Sequence, residues 1–183
     1  MSDALDTLRL CGEVVHFIFG ATEEAPRGKK SVNQWSALHS DWNEWVHGYP
    51  NTLSGRDYED QQSRRRYWFP RSSFAAAMCF YHVCQIFLFS HPPNKTPTAA
   101  TTQTSGAMDP ETQIQHHAKN IIDIALSNMP DGVLVTMVQP VFHSARHVHD
   151  AVRRDEAILL LRDIQSQVET LGKLRPLMTP MRG

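Results

Sequence analysis

The sequence has little of what covalent or metal-based frameworks need. Among its 183 residues there are three cysteines, Cys11, Cys79 and Cys84, and none stands in a CxxC pair. That excludes a disulfide scaffold and a cysteine zinc knuckle, and leaves the thiols to read as small apolar side chains in a reducing, intracellular setting. Charge of one sign is also missing: 18 basic residues face 19 acidic ones, a formal net charge of -1. No basic footprint for nucleic acid or an anionic lipid surface results, so no direct contact with nucleic acid and none with a membrane is expected. Nucleophile elbows, phosphate-cradling loops and dinucleotide-binding fingerprints are absent as well. The expectation is therefore a non-enzyme, with no catalytic, cofactor-binding or metal-binding residue and no cofactor. The N-terminal MSDALDTLRLCGEVVHF carries acids and lacks the basic-then-apolar pattern of a secretory signal.

Long hydrophobic runs are scarce too, with one exception. From Phe69 to His91 the chain reads FPRSSFAAAMCFYHVCQIFLFSH, and its apolar residues cover every side of a helical wheel. Such a helix is either buried in a core or crosses a membrane. A crossing needs about 20 apolar residues; the run from Phe74 to Phe89 is shorter and holds His82 and Gln85 near its middle. It reads as a buried central helix with Pro70 in its first turn and Pro92–Pro93 as its stop. Tyr81 and His82 become buried polar tips in need of partners, and Phe80→Asp is expected to unfold the domain.

The remaining elements follow from spacing. Leu5, Leu8, Val15 and Ile18 or Phe19 mark a first helix, stopped by Gly20. Ser31 can cap a second helix, on which Trp35, Leu38, Trp42 and Trp45 repeat by 3, 4 and 3 to form a core stripe. Asn51 to Arg66 is charged and without period, a solvated loop in which a phosphate contact or nuclear-import role for Arg64–Arg66 is the weaker alternative. Residues 92–109, rich in Pro, Thr, Ala, Ser and Gly, form a flexible low-complexity loop.

Asp109 and Pro110 then start a helix with Ile114, Ala118, Ile121, Ala125 and Met129 on one face. Val133 to Val138 could be a strand, but Pro140 favours a helix kinked or started nearby. Ala157, Leu161, Ile164, Val168 and Leu171 draw the stripe of a last helix capped by Gly172, with 173–183 a frayed tail. The fold class expected is all-α: one domain over residues 1–183, about five to seven helices packed antiparallel around a buried central helix, with long flexible loops.

Ten histidines raise a metal question. His143 and His147 would share a helical face and His149 lies beside them, as zinc ligands could. No HExxH pattern accompanies them, and a third ligand would have to come from elsewhere, such as His116 or His117. A small intracellular helical enzyme or metal-binding protein using His143, His147 and His149 is thus the alternative to a binding module.

Three segments, in order, carry a family resemblance. NQWSALHSDWNEWVHGYP is a Trp/Leu helix ending at proline. FPRSSFAAAMCFYHVCQIFLFSHPP is an apolar helix with a Tyr-His pair and a His-Pro-Pro end. QPVFHSARHVHDAVRRDEAILLLRDIQSQVETLG joins a Gln-Pro segment to a leucine helix. Together, from Gln34 to Gly172, they resemble the C-terminal regulatory domain of fungal zinc-cluster transcription factors. Family members continue the last helix into Gly-Trp, where this chain has Gly172, Lys173 and Leu174, and the six-cysteine DNA-binding cluster has no counterpart here. The resemblance implies an all-helical regulatory module in the nucleus. It would act through other transcription-regulatory proteins, as a homo- or heterodimer, or through sensing of a small apolar ligand.

Overall fold

The apolar segment forms helix α3 (Ser72–Ser90) in a computed structural model of the chain, which describes residues 2–20, 32–48, 55–93 and 109–174. Ser73 alone on this helix is exposed. α3 has the length and apolarity of a membrane-crossing helix, but its flanks are taken by other elements of the chain, as a core helix requires. Its N-terminus differs from expectation. Arg71, with extended backbone at φ -136°, occupies the cap position, so Pro70 precedes the helix instead of opening its first turn. At the other end the His91 N–H donates to the Phe87 carbonyl at 3.1 Å, and Pro92 stops the helix as expected.

Around α3 stand α1 (Ser2–Phe19), α2 (Val32–Gly48), α4 (Pro110–Ala125) and α5 (Asp131–His147), while α6 (Ala151–Leu174) packs on α5 and α4. Apart from one small hairpin, the described residues are helical, in agreement with the all-α expectation. The Trp stripe of α2 turns inward as its spacing dictates: Leu38, Trp42 and Trp45 are buried, and the half-buried Trp35 donates its indole N–H to the Leu88 carbonyl at 2.9 Å. α1 presents the other face. Thr7, Leu10, Val14 and Phe17 are buried, whereas Leu8 and Phe19 are 63% and 64% exposed and Val15 also faces outward. The helix carries two apolar stripes: of the residues that spacing selects, Ile18 is half-buried against the core while Leu8, Val15 and Phe19 face outward.

The charged segment before α3 is not a featureless loop. Arg56–Glu59 (β1) and Arg65–Trp68 (β2) pair antiparallel, with Asp57 opposite Tyr67. Asp60 makes the turn, its side chain accepting from the backbone N–H groups of Gln62 and Arg64 at 2.9 Å each. The arginine run is used internally: Arg64 pairs with Glu156 of α6, Arg65 with Asp57 at 3.3 Å and Arg66 with Asp60 at 3.1 Å. Tyr67 ties the hairpin to α4 and the turn after it, its N–H donating to Ser127 Oγ at 2.8 Å and its hydroxyl to Asn120 Oδ1 at 3.2 Å.

Gly55 opens the hairpin at φ +61°, where a Cβ would come within 2.9 Å of the Phe69 ring. Gly55→Ala should cost about 2 kcal/mol, the left-handed backbone penalty plus displacement of Phe69. Urea unfolding of the variant measures this, and an unchanged midpoint would show that the hairpin is not anchored through Phe69.

α4 begins as its sequence signals: Pro110 is its first residue and the Asp109 side chain accepts from the Thr112 N–H at 3.4 Å. Ile114, Ala118, Ile121 and Ala125 are buried, but the helix ends at Ala125, so Met129 belongs to the following turn. Val133–Val138 is helical and α5 runs unbroken through Pro140, which is buried. On α6, Ala157 and Ile164 are buried and Leu161 half-buried, while Val168 is 48% exposed; the helix continues to Leu174, so Gly172 lies within it and does not cap it. The expected cap Ser31, most of the low-complexity loop (94–108) and the tail from 175 lie outside the described residues, as do the side chains of Leu5 and Leu171.

Candidate functional site

The densest group of chemically capable side chains lies where α2, α3 and α4 meet. Two dipeptides build it. Tyr81–His82 sits mid-helix on α3, and His116–His117 sits on α4 just before the buried Ala118, so each helix turns one imidazole into the seam. There His82 Nδ1 and His117 Nδ1 are 2.8 Å apart, with ring centroids 5.1 Å apart. Two ring nitrogens at this distance share one hydrogen, so one imidazole donates from Nδ1 and the other accepts as the opposite tautomer. The partner sought for His82 is therefore a second histidine, 35 residues away.

Aromatic walls surround the pair. Phe89 stacks on His117 at 5.9 Å and stands edge-on to His39 at 5.3 Å, while Tyr81 lies 5.7 Å from Trp42 and 5.9 Å from His117. His116 takes a separate course, its Nε2 3.0 Å from Asn120 Nδ2, whose oxygen receives the Tyr67 hydroxyl. Burial holds His117 down to about 3, with His116 and His39 adding to the shift, and it also holds His82 well below the ordinary imidazole range with the help of His117 and His116. His39 and His116 are lowered by burial as well. The seam is consequently neutral at physiological pH and holds no charged base. Nearby on α3, Gln85 is 1% exposed and has no hydrogen-bond partner for either amide atom among the described residues; the fully buried Trp42 indole N–H is in the same position.

The histidines singled out for metal binding are arranged differently. His143 is half-buried with its ring 4.8 Å from Phe87, His147 is half-buried at the end of α5, and the exposed His149 places Nε2 3.2 Å from Glu111. Burial lowers His143 and His147. Neither His116 nor His117 completes a ligand set with them, since one is bonded to Asn120 and the other to His82. Among the described residues no three His, Cys, Asp or Glu side chains gather as a metal site. The metal-binding alternative thus lacks the convergence it needs.

A second polar group is structural. Asp123 of α4 meets Arg153 of α6 at 2.7 Å, and Arg153 also reaches Glu156, the partner of Arg64. Burial raises the Asp123 carboxyl, opposed by Arg153 and the hairpin arginines. This network joins the hairpin, α4 and α6. A shallow cavity of about 240 Å³ between α1 and α2 mixes Glu13, Asp41, His16 and Gln34 with Ala37 and Leu38, a polar rim that does not suit a purely apolar ligand.

Sequence reasoning did not find the histidine pair, although both halves left a signal: an imidazole at the centre of an all-apolar helix, and another directly beside a buried stripe. The pairing itself crosses between helices, which periodicity cannot register.

With this geometry in hand, comparison with known proteins finds a distant similarity to a fungal transcription activator. The similarity is to the transcription activator AMTR1 of Alternaria alternata, 25% identical over an alignment of 171 residues that takes in 85% of this chain. The chain spans 22% of that relative's length. No family model matches the chain. No solved structure matches it.

Proposed function

We propose that the chain is a helical regulatory module of a transcription regulator, working in the nucleus through contacts with other transcription-regulatory proteins, a second copy of itself included. The observation that carries this reading is the similarity to a transcription activator over 85% of the chain, in the same direction as the ordered motifs of the zinc-cluster factors' regulatory domain. The module makes no DNA contact of its own. Its charge is balanced, and the one arginine run is committed to ion pairs with Glu156, Asp57 and Asp60. Outward apolar side chains on α1 (Leu8, Val15, Phe19) and α6 (Val152, Leu159) give protein contacts something to bury. Catalysis is not part of this reading, and the polar rim of the cavity between α1 and α2 gives sensing of a small apolar ligand no support.

Fusing the chain to a foreign DNA-binding domain tests the proposal. Expression of a reporter carrying that domain's site is expected to change severalfold relative to the DNA-binding domain alone. An unchanged reporter with the fusion present in the nucleus would overturn the reading. Tight, sequence-specific gel-shift by the unfused chain would overturn the claim that DNA contact lies elsewhere.

A further inference from the structure

Cys11 on α1 and Cys84 on α3 are 73 residues apart in sequence and 3.7 Å apart at sulfur, with the Cys84 thiol donating to the Cys11 sulfur. We infer that these two thiols form a peroxide-responsive pair that closes to a disulfide between α1 and α3. Three features of the seam support it. Cys84 is 2% exposed, behind Cys11, which is half-buried at the flank of α1. Beside Cys11 the surface is open: nothing lies within 4 Å of where a Gly12 side chain would stand, and Val15, one turn along, is 46% exposed. The sulfurs already stand in contact at 3.7 Å, against a bonding distance of about 2.0 Å.

The roles divide by environment. The hydrogen bond from Cys84 lowers the Cys11 thiol against the opposing effect of burial, and the same contact together with burial raises Cys84. Cys11 is therefore the sulfur that reacts first as thiolate. Its sulfur attacks one oxygen of hydrogen peroxide, the O–O bond breaks, and hydroxide leaves, giving a sulfenic acid at Cys11. The Cys84 sulfur then attacks the Cys11 sulfur; the S–O bond breaks, the Cys84 proton leaves with the hydroxyl as water, and the S–S bond forms. Two thiols lose two electrons and one peroxide becomes two waters. Cys79 stays outside this chemistry, since it is 0% exposed and burial pushes its thiol up. The cross-link would fix α1 on the central helix, closing a long loop of chain that includes α2 and the hairpin.

The test uses the reduced full-length chain and hydrogen peroxide. The intact mass should fall by two hydrogens, and peptide mapping should find Cys11 joined to Cys84 with Cys79 still a free thiol. The melting temperature should rise by roughly 5–10 °C and return on reduction, because the link constrains the unfolded chain. In Cys84→Ser, Cys11 should stop at the sulfenic acid and be captured by a dione probe. No mass loss at excess peroxide, a link to Cys79, or links between molecules only would overturn the proposal. The mapping on the unsubstituted chain decides the matter even if the variant fails to fold. Because the readout is covalent, its outcome is separate from that of the reporter fusion.

Discussion

Ile86→Asp is expected to abolish the cooperative melt of the domain. Ile86 is 0% exposed on α3, the helix against which α1, α2, α4 and α5 are all packed. Removing the side chain forfeits about 2–5 kcal/mol of apolar burial and packing. Adding a carboxylate with no cation to meet it costs several kcal/mol more. A domain of this kind has a total stability of about 5–15 kcal/mol, so the substitution exhausts most or all of it. Ile86→Val, which removes one methylene, should cost only about 1 kcal/mol and keep a sharp transition. Thermal melts followed by circular dichroism separate the two. A soluble Ile86→Asp protein melting cooperatively near the parent temperature would mean that α3 is not the central packing element. Phe80, the position that composition suggested for such a test, is half-buried. It packs against the core all the same, so Phe80→Asp is still expected to unfold the domain, with Ile86→Asp the more severe substitution.

Acid should destabilise the protein well above the range where carboxylates titrate, because of the His82–His117 pair. Unfolded histidines titrate near 6.5. In the fold, burial holds His117 at about 3 and His82 well below its ordinary value. Below pH 6.5 the unfolded chain therefore binds protons that the native chain does not, and stability falls with falling pH by about 1.4 kcal/mol per unit for each such histidine. Above pH 6.5 the contribution is fully present; it is lost as pH drops toward the folded pKa values.

Groups facing the pair from neighbouring elements are His39 on α2 and His116 on α4, both shifted in the same direction, as are the more distant His143 and His147 on α5. Urea titrations at pH 7.5, 6.5 and 5.5 should show a loss of about 2 kcal/mol from the pair across the last unit, each unfolded histidine being half protonated at its start. His117→Phe should reduce that slope by about half, at the cost of leaving His82 without its partner. A stability independent of pH over this interval would mean that the pair accepts a proton within the native fold, against the burial that keeps it neutral.

How much of this was legible beforehand differs from element to element. α2 was readable because three Trp and one Leu recur at helical spacing on a polar background, leaving only one face to bury. α4 was readable because Asp109 and Pro110 signal a start and a single isoleucine-alanine stripe follows. α1 was readable as a helix, but its inner face was not: Leu8, Val15 and Ile18 or Phe19 compete with Leu10, Val14 and Phe17, both sets have helical period, and of the first only Ile18 meets the core. The hairpin escaped because its strands are four residues long, with burial patterns of four exposed positions in one and two adjacent buried ones in the other. Neither shows the alternation that marks a strand.

The candidate sites divide in the same way. Three histidines are clustered in sequence, yet His143 packs on Phe87 and His149 pairs with Glu111, and among the described residues they gather no third ligand. The groups that do meet, His82 with His117 and Cys84 with Cys11, are 35 and 73 residues apart.

By itself the sequence determined the helical class, the buried character of the Phe69 to His91 segment and the near-balance of charge, because these depend on composition and local period. Only the tertiary structure decided which stripe of α1 turns inward, where the three arginines find their acids, and which imidazoles and thiols become partners. Those outcomes depend on contacts between elements distant in the chain, whose free energy appears only when the helices are packed together.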